Sequence, residues 1–239
     1  MATTATYDVN NHEVVAHDEW IAARRALMAK EKELTRLRDE LSKARRDLPW
    51  ERVEKNYVFD SPQGKVALAD AFDGQSQLVV YHFMYAPEWD EGCKSCSFWA
   101  ENFERNVVHL RAHDVALVAV SRAPVATLEA YKKRMGWTFR WLSSGENDFN
   151  YDYGVSFRPE RSRAAEYNYA PIELDEDDTD LPGISVFYKA DNGTIYHTYS
   201  TYGRGIDLMN AAYNYIDLTP KGRLDYGRPM WWLKRRDEY

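Results

Sequence analysis

Cys93 and Cys96 are the only cysteines of the chain, and two residues separate them. They follow a nearly continuous apolar run at residues 77–85 and precede an amphipathic segment that is typical of a helix. A cysteine at the start of a helix meets unpaired backbone N–H groups and the positive end of the helix dipole, which favour the thiolate, and Lys94 adds a nearby cation. The second cysteine lies one helical turn later and could attack a mixed disulfide formed by the first. The spacing therefore predicts a redox pair, with Cys93 as nucleophile, because the more N-terminal cysteine is usually the more exposed, and Cys96 as resolving thiol.

A zinc site is a second interpretation of the same residues. Cys93, Cys96, His109 and His113 have the spacing C-x2-C-x12-H-x3-H, which is found in zinc fingers. If one helix runs from about Cys96 to His113, however, His109 lies roughly 20 Å from Cys96 at the rise of an α-helix. Zinc bonds of about 2 Å cannot join groups that far apart. We therefore expect both histidines to be solvated surface residues, and no bound metal.

The composition limits the class of protein. The chain of 239 residues has a net charge of −7, which argues against a broad nucleic-acid surface. It has no apolar run long enough to cross a membrane, and its first residues lack the basic and apolar regions of a signal peptide. We therefore expect a cytoplasmic protein, where a close cysteine pair is more often catalytic or metal-binding than structural. A third interpretation stays open, in which both cysteines are merely small buried apolar side chains.

The elements around the cysteines alternate between strands and helices. The apolar runs at residues 77–85 and 115–120 are typical of strands buried on both faces of a sheet. A turn at residues 190–193 joins two later strands into an antiparallel hairpin. This order predicts an α/β fold, with a mixed sheet and helices on both faces. The predicted strands are residues 56–59, 65–68, 77–85, 115–120, 138–142, 184–189 and 194–200, and the predicted helices are residues 97–113, 127–135 and 207–216.

The N-terminal part, residues 1–50, is expected to form a helical arm that precedes a domain at residues 51–239. From Asp18, a suitable N-cap, helix-forming residues continue to about Asp47. Apolar side chains recur every seven positions, and Lys30 interrupts a weaker second stripe. The arm either packs against its own domain or a neighbouring subunit, or pairs with a second copy as a coiled coil that makes a homodimer. The seven-residue stripe consists of Trp20, Leu27, Leu34, Leu41 and Leu48.

Several segments resemble a known family. The segment around the cysteine pair, Trp89-Asp-Glu-Gly-Cys93-Lys-Ser-Cys96-Ser-Phe-Trp99, is similar to the signature of a thioredoxin-like family named domain of unknown function 899. The similarity extends over nearly the whole chain, including the arm. Members of this family are predicted to be dithiol-disulfide oxidoreductases, so the resemblance implies a thioredoxin-like fold and this activity. The other similar segments are residues 118–124, 131–137, 149–155, 197–205 and 218–222.

Five further residues are candidates for the site. Thioredoxin-like folds place a cis-proline before a strand and against the cysteine pair, and Pro182 either takes that role or is a turn proline that enters a strand. The buried acid of ordinary thioredoxins has no counterpart here, where His82 is either a hydrogen-bonded core residue or a proton acceptor near the thiols. Arg122 follows a buried strand, at the sheet end where α/β proteins bind ligands. It either binds an anionic substrate or favours a thiolate, or it is an ordinary surface residue that forms an ion pair. Trp89 and Trp99 flank the cysteines and either form an apolar docking rim or simply pack.

The leading functional hypothesis is a thiol–disulfide oxidoreductase that requires no cofactor and no metal. It would reduce a protein or small-molecule disulfide and be regenerated by a cellular thiol reductant. The alternative is a thiol peroxidase of the alkyl hydroperoxide reductase type, in which a peroxide would oxidise Cys93 to a sulfenic acid that condenses with Cys96. Such peroxidases have Pro and Thr shortly before the reactive cysteine, where this chain has Asp90, Glu91 and Gly92. A non-catalytic thioredoxin-like binding module is the third hypothesis.

Overall fold

The computed structural model describes residues 11–158, 165–174, 180–224 and 229–239. Two 3-10 segments, Gly203–Met209 and Arg236–Glu238, lie in the C-terminal part of the chain. The helices are α1 (His17–Arg46), α2 (Leu68–Ala71), α3 (Lys94–Ala100), α4 (Phe103–Ala112), α5 (Val125–Met135), α6 (Phe149–Asp152) and α7 (Ala211–Ile216). The strands are β1 (Glu51–Arg52), β2 (Val58–Ser61), β3 (Gly64–Ala67), β4 (Gln77–His82), β5 (Val115–Ser121), β6 (Arg140–Ser143), β7 (Ala165–Tyr167), β8 (Ala170–Ile172), β9 (Gly183–Lys189) and β10 (Ile195–Tyr202).

Eight strands of the described ranges form one mixed sheet in the order β1-β10-β9-β4-β5-β6-β2-β3. β4 and β6 each run parallel to β5, whereas β9 runs antiparallel to β4 and to β10. The apolar sequences of β4 and β5 suit their central place, because a strand covered on both faces needs apolar side chains at nearly every position. The unit β10-β9-β4-β5, with helices that cross over from β4 to β5, has a thioredoxin-like arrangement. The α/β class and the mixed sheet predicted from the sequence are confirmed.

Two apolar cores lie on opposite faces of the sheet. The first contains Tyr81, Cys96 and Trp99 and is covered by α3, α4, α5 and α7. The second contains Val80 and Phe149 and is covered by the short helices α2 and α6. Helices therefore cover both faces, as predicted, but the longer ones share the face that carries the cysteines. β4 contributes to both cores because successive side chains of a strand point to opposite faces.

The helix after the cysteines is interrupted. The sequence predicts a single helix over residues 97–113, but α3 and α4 are separate, with Glu101 and Asn102 between them. The side-chain amide of Asn102 donates hydrogen bonds to the carbonyl oxygens of Phe98 and Trp99, both at 3.1 Å. These carbonyls thus find a partner outside the helical ladder, which ends there. The prediction was wrong because an apolar period does not reveal a side chain that bonds locally to the backbone.

The other boundaries shift by a few residues. β4 ends at His82, before the end of its apolar run, and Leu68 begins α2 where the sequence predicts the end of a strand. The predicted last helix is instead a 3-10 segment followed by α7. Asn210 separates the two pieces, and its side-chain oxygen accepts a hydrogen bond from the Tyr213 N–H at 3.2 Å as the N-cap of α7. The same type of local capping explains this break.

α1 begins slightly earlier than predicted. Ala16 is the N-cap residue, and Asp18 lies in the first turn. The carboxylate of Glu19 accepts a hydrogen bond from the Ala16 N–H at 3.2 Å, so an acidic residue still satisfies a backbone donor at this end. The predicted helix and its length are therefore confirmed, but the predicted cap is wrong.

α1 buries none of its residues. Its apolar stripe is open to solvent, and Trp20 and Leu34 are 53% and 56% exposed. Near its C-terminal end, the Arg45 guanidinium lies over the Tyr199 ring at 5.3 Å. The stripe thus does not pack on the described part of its own domain, and the division into an arm at residues 1–50 and a domain at 51–239 stays a prediction. No helix in the described ranges combines the length and apolarity needed to cross a bilayer.

Candidate active site

Cys93 is the N-cap residue of α3 and ends the loop that follows β4. Its backbone N–H donates to the Met84 carbonyl oxygen at 3.1 Å, and its own carbonyl accepts from the Ser97 N–H at 2.9 Å. Its Sγ accepts a hydrogen bond from the Cys96 N–H at 3.5 Å. The sulfur thus occupies the place of a capping oxygen, where the unpaired N–H groups of the first turn stabilise negative charge.

The two thiols are free but have different environments. Cys93 is partly exposed, whereas Cys96 is 1% exposed and lies in the core beneath α3. A hydrogen bond with the Cys96 thiol, together with the N–H groups of Cys96 and Ser95, lowers the pKa of Cys93 to about 7. Burial, followed by the proximity of Cys93, raises the pKa of Cys96 well above 9.0. At neutral pH the negative charge of the pair therefore resides on Cys93, and Cys96 is the protonated partner.

Tyr81, on β4, faces the buried thiol. Its side chain is fully buried, and its hydroxyl makes no hydrogen bond within the part of the chain that the structure describes. Burial raises the pKa of Tyr81 well above 10.0, and the nearby Cys96 adds to this shift. In return, Tyr81 and the Met84 N–H, which is 3.4 Å from Cys96 Sγ, both lower the pKa of Cys96 and so oppose the effect of burial. Tyr81 therefore stays protonated and is placed to donate to a Cys96 thiolate.

A pocket of about 270 Å³ opens beside Cys96. Trp99, Ile206 and Tyr213 form apolar walls, and the Tyr81 side chain lies in the lining. Trp99 is fixed there because its Nε1–H donates to the Ile206 carbonyl oxygen at 2.9 Å. Cys93 does not belong to this lining. The pocket consequently connects solvent to the buried thiol rather than to the more exposed one.

Arg235, close to the C-terminus, anchors the residue before Cys93. Its Nη2 donates to the Gly92 carbonyl oxygen at 3.0 Å, and its Nε donates to the Tyr131 hydroxyl at 3.0 Å. A Cβ atom at Gly92 would lie 3.0 Å from ring atoms of both Phe83 and Tyr131, so a larger residue here would require these buried rings to move slightly. Sequence reasoning missed Arg235 and Tyr131, because nothing in the local pattern connects Gly92 with a residue 143 positions away.

His82 lies on the opposite face of the sheet from the cysteines. Its ring stacks on Phe149, with the centroids 5.5 Å apart, and its Nε2 is 2.9 Å from Ser185 Oγ. Burial, aided by His197, lowers the pKa of His82 to about 3. The ring is therefore a neutral, hydrogen-bonded core histidine. The other predicted role, a proton acceptor near the thiols, does not fit a side chain that points away from them.

Pro182 lies where the sequence predicts, but with the other isomer. It lines the pocket beside Cys96 and precedes β9. Every peptide bond in the described ranges is trans, so of the two interpretations Pro182 is a proline that enters a strand, and the cis interpretation is wrong. The Tyr167 hydroxyl donates to the Pro182 carbonyl oxygen at 2.6 Å and accepts from the Gly203 N–H at 2.9 Å. Trans is the intrinsic preference of an X–Pro bond, and a position in the sequence does not specify the contacts that would reverse it.

Arg122 forms a buried ion pair. Its Nε donates to Asp180 Oδ1 at 2.8 Å, and its Nη1 donates to the Tyr151 hydroxyl at 3.1 Å. The two charged side chains are only 11% and 3% exposed. Nη2 makes no hydrogen bond within the described ranges, and the Glu88 carboxylate lies 3.9 Å from it. Of its two predicted roles, ion pairing therefore describes Arg122 in this structure.

Three predicted site residues remain, Trp89, Lys94 and Trp99, and only Trp99 lines the pocket beside Cys96. Trp89 is partly buried against the core that contains Cys96, whereas Trp99 is 4% exposed and lines the pocket. Packing thus accounts for both, although Trp99 also shapes the space next to Cys96. Lys94 is the first residue of α3 and is exposed.

The histidines of the zinc spacing do not meet the cysteines. His109 lies on α4 and His113 directly follows it, and both are exposed, as predicted. No group of three or more His, Cys, Asp or Glu side chains with metal-binding geometry occurs among the residues that the structure describes. Because α3 and α4 are separate helices, the distance of roughly 20 Å estimated for a single helix does not apply. The four residues nevertheless do not form a metal-binding group.

The sequence matches one known protein family over nearly its whole length. A family model described as "Bacterial protein of unknown function (DUF899)" matches residues 9–239. The chain belongs to this family. The match includes α1, so the DUF899 family spans both the arm and the sheet. No curated protein matches the chain.

Among solved structures, the DUF899 chain is similar to several peroxiredoxins. A PrxQ mutant from Xylella fastidiosa is 13% identical, with 70% of this chain and 95% of that chain covered and a TM-score of 0.45. Peroxidoxin BcpB from Mycobacterium tuberculosis is 12% identical, with 70% and 96% covered and a TM-score of 0.44. A yeast mitochondrial 1-Cys peroxiredoxin is 17% identical, with 73% and 78% covered and a TM-score of 0.43. At these values the similarities carry no inference about activity.

Proposed function

We propose that this protein is a thiol–disulfide oxidoreductase in which Cys93 attacks and Cys96 resolves. Its substrates are disulfides of proteins or small molecules, and a cellular thiol returns it to the dithiol form. A location in the reducing cytoplasm is part of this proposal. The observation that supports it most directly is the asymmetry of the pair: the pKa of Cys93, at the N-cap, is lowered to about 7, whereas that of the buried Cys96 is raised.

The first step uses the Cys93 thiolate. It attacks one sulfur of the substrate disulfide, forms a bond with it and displaces the other sulfur as a thiolate, which takes a proton from water. An attacking thiol is most effective when its pKa is near the ambient pH, because a lower pKa would reduce its nucleophilicity and a higher one its thiolate fraction. A pKa of about 7 meets this condition in a neutral compartment.

The second step requires Cys96 to lose its proton. The Cys96 thiolate attacks Cys93 Sγ, a Cys93–Cys96 disulfide forms, and the remaining half of the substrate leaves as a thiolate. The substrate gains two electrons and the pair loses two. Since burial disfavours the Cys96 thiolate, the Tyr81 hydroxyl and the Met84 N–H supply its stabilisation, and the proton leaves through the adjacent pocket.

The experiment is a comparison of three forms of the full chain with a chromogenic aromatic disulfide. The reduced wild type is expected to release two thiolates per chain. Cys96→Ser should release one and retain the other half as a mixed disulfide on Cys93, which mass spectrometry of the peptide identifies. Cys93→Ser should react at least a hundredfold more slowly than either, because its remaining thiol is buried and protonated.

Other outcomes would replace the proposal. A Cys93→Ser variant that reacts like the wild type would overturn the assignment of the nucleophile. Hydrogen peroxide that oxidises Cys93 far faster than the disulfide does would favour the peroxidase alternative. A Cys93 pKa near that of a free thiol, without exchange, would favour a binding module. The rate at which iodoacetamide alkylates Cys93 in the reduced wild type, followed across pH by mass spectrometry of the peptide, measures that pKa, and we expect the rate to rise with pH to a plateau with a midpoint of about 7.

A further inference from the structure

Four large apolar side chains form a stripe along α1, and Leu48 continues their seven-residue spacing just beyond its last residue. We call these five residues the α1 seam: Trp20, Leu27, Leu34, Leu41 and Leu48. Each of them is between 44% and 56% exposed. Single exposed leucines are ordinary, but a contiguous apolar row on an isolated helix marks an interaction surface. The seam repeats every seven residues, which is the period of a left-handed coiled coil rather than of a helix packed on a globular domain.

The charges beside the seam are sorted by sign. The residue before a seam position is acidic three times in the helix, at Glu19, Glu33 and Glu40. Four residues after a seam position, the chain is basic at three of four places. If the seam occupies the a positions of a heptad, the acids occupy g and the bases occupy e, the two positions that flank the interface of a coiled coil. The bases are Arg24, Arg38 and Arg45.

This order of charges selects an orientation. In a parallel pair of helices, a g residue lies near the e residue that is five positions later on the partner helix, so Glu19 meets Arg24, Glu33 meets Arg38 and Glu40 meets Arg45. In an antiparallel pair, g faces g and e faces e, so acids would meet acids and bases would meet bases. The charges therefore complement a parallel copy of the same helix and repel an antiparallel one.

Half of these six charged residues are without a hydrogen bond or ion pair of their own among the described residues, whereas Glu19 accepts a hydrogen bond from the Ala16 N–H, the Arg45 guanidinium lies over the Tyr199 ring and Arg24 is paired within α1. Glu33, Arg38 and Glu40 are exposed and form no ion pair within the described part of the chain. Arg24 pairs with Glu31 of the same helix at 2.9 Å, but it remains at the surface beside the seam. α1 has 30 residues, which is about 45 Å of helix, and spans the four heptads that a stable two-stranded coil needs.

We propose that α1 pairs with α1 of a second copy of this chain in a parallel, two-stranded coiled coil. The occupant of the seam is thus the same protein, and the two cysteine sites lie on domains carried at the same end of the coil. Lys30 occupies a d position, where a polar residue restricts register and oligomeric state but weakens the pairing. Ala23 and Ala44, also at d, bury little area, so we expect a reversible homodimer. The proposal is independent of the redox function.

The test uses two charge-reversed forms of the full chain. Glu19→Lys/Glu33→Lys places bases against bases, and Arg24→Glu/Arg38→Glu places acids against acids. Each form alone is expected to raise the dissociation constant of the dimer about a hundredfold, because two pairs change sign and each occurs twice in a symmetric dimer. Mixing the two forms restores all pairs and should give a heterodimer with about the wild-type dissociation constant. Sedimentation velocity across a concentration series measures all four samples.

Controls separate the seam from the overall charge and from folding. Arg25→Glu/Arg36→Glu has the same charge change on the outer surface of α1 and is expected to dimerise like the wild type. The alkylation rate of Cys93 should be unchanged in every form, since α1 buries no residue. Helix content by circular dichroism should be unchanged except at the first turn of α1 in the form with Glu19→Lys, which loses the bond from the Ala16 N–H. Lys30→Leu should tighten the dimer at least tenfold by completing the second apolar stripe.

Three results would overturn the proposal. The first is a wild-type chain that stays monomeric at a concentration of hundreds of micromolar, which would assign the seam to a different partner. The second is a dimer that both reversed forms retain at wild-type strength. The third is a mixture of the two reversed forms that does not associate, which would exclude the parallel register.

Discussion

Tyr81 and His82 are neighbours on β4, are buried to the same degree and point to opposite faces of the sheet. Burial keeps both neutral, since it raises the pKa of the tyrosine well above 10.0 and lowers that of the histidine to about 3. Their surroundings differ. Tyr81 faces the Cys96 thiol and the pocket, whereas His82 has Ser185 and aromatic rings around it.

The difference shows that the face of the sheet, rather than the depth of burial or the type of residue, decides which side chain of β4 lies next to the cysteines. A histidine is the more obvious proton carrier near neutral pH. Here the side chain of β4 that faces the thiols is Tyr81. Successive side chains of a strand point to opposite faces, and Tyr81 points to the face that carries the cysteines. The predictions below change one face at a time.

The largest effect is expected from Tyr81→Phe. The substitution keeps the ring and removes the hydroxyl that stabilises the Cys96 thiolate. A hydrogen bond to a charged group contributes about 1.5–3 kcal/mol, so the second step should slow at least tenfold while the attack of Cys93 keeps its rate. The two phases of thiolate release from the chromogenic disulfide measure the two steps separately.

The matched control for this variant is Tyr85→Phe. Tyr85 is a second buried tyrosine of the same apolar core, and its hydroxyl donates to the Asp90 carbonyl oxygen at 3.2 Å rather than facing a thiol. Both steps should stay within about threefold of the wild type. If Tyr81→Phe leaves the rate of the second phase unchanged, the Tyr81 hydroxyl does not assist the attack of Cys96. Tyr81 and His82 would then both be structural residues.

A smaller effect, on stability rather than activity, is expected from His82→Gln. The unfolded histidine takes up a proton near pH 6.5, but the folded one stays neutral down to about pH 3. The unfolded state therefore binds more protons in this interval, and the folded state loses stability as the pH falls below 6.5. The free energy of unfolding of the wild type should fall by about 1–2 kcal/mol more than that of the variant between pH 7 and pH 5.

Urea denaturation at a series of pH values measures this difference. Because glutamine does not titrate, the comparison isolates the histidine even if the substitution changes stability by a constant amount. The rates of both redox steps at pH 7 should stay within about threefold of the wild type. A tenfold loss of redox rate in a folded His82→Gln protein would contradict the placement of His82 on the inert face.

The smallest effect is expected from Arg235→Gln, on the cysteine face. The variant loses the bonds to the Gly92 carbonyl and the Tyr131 hydroxyl, so the loop that positions Cys93 is held less firmly. The first step should slow about threefold, which corresponds to less than about 1 kcal/mol. Arg236→Gln is the control, because Arg236 is exposed and its carboxylate partner, Glu101, lies 3.6 Å away outside this loop. Equal rates in both variants would show that the C-terminal contact does not position Cys93.

Much of the local structure could be predicted from the sequence. The apolar runs of β4 and β5, the hairpin of β9 and β10 and the long helix α1 all follow from hydrophobic period and turn residues, which depend on neighbouring positions. The two free cysteines at the start of a helix also follow from local order, since the strand, loop and helix are consecutive. The interrupted helix after them did not, because the Asn102 amide replaces the helical bonds that the period implies.

By itself, the sequence determined that the two cysteines lie at the start of a helix and that acidic and basic residues flank opposite sides of the apolar stripe of α1, because both are properties of residue type and spacing. Only the tertiary structure decided that Tyr81 rather than His82 faces Cys96, that Arg122 is paired with Asp180, that Pro182 is trans and that Arg235 holds the residue before Cys93. These features join positions far apart in the chain or depend on which face of the sheet a helix covers. Such contacts are set by packing among many side chains at once, and no local pattern specifies them.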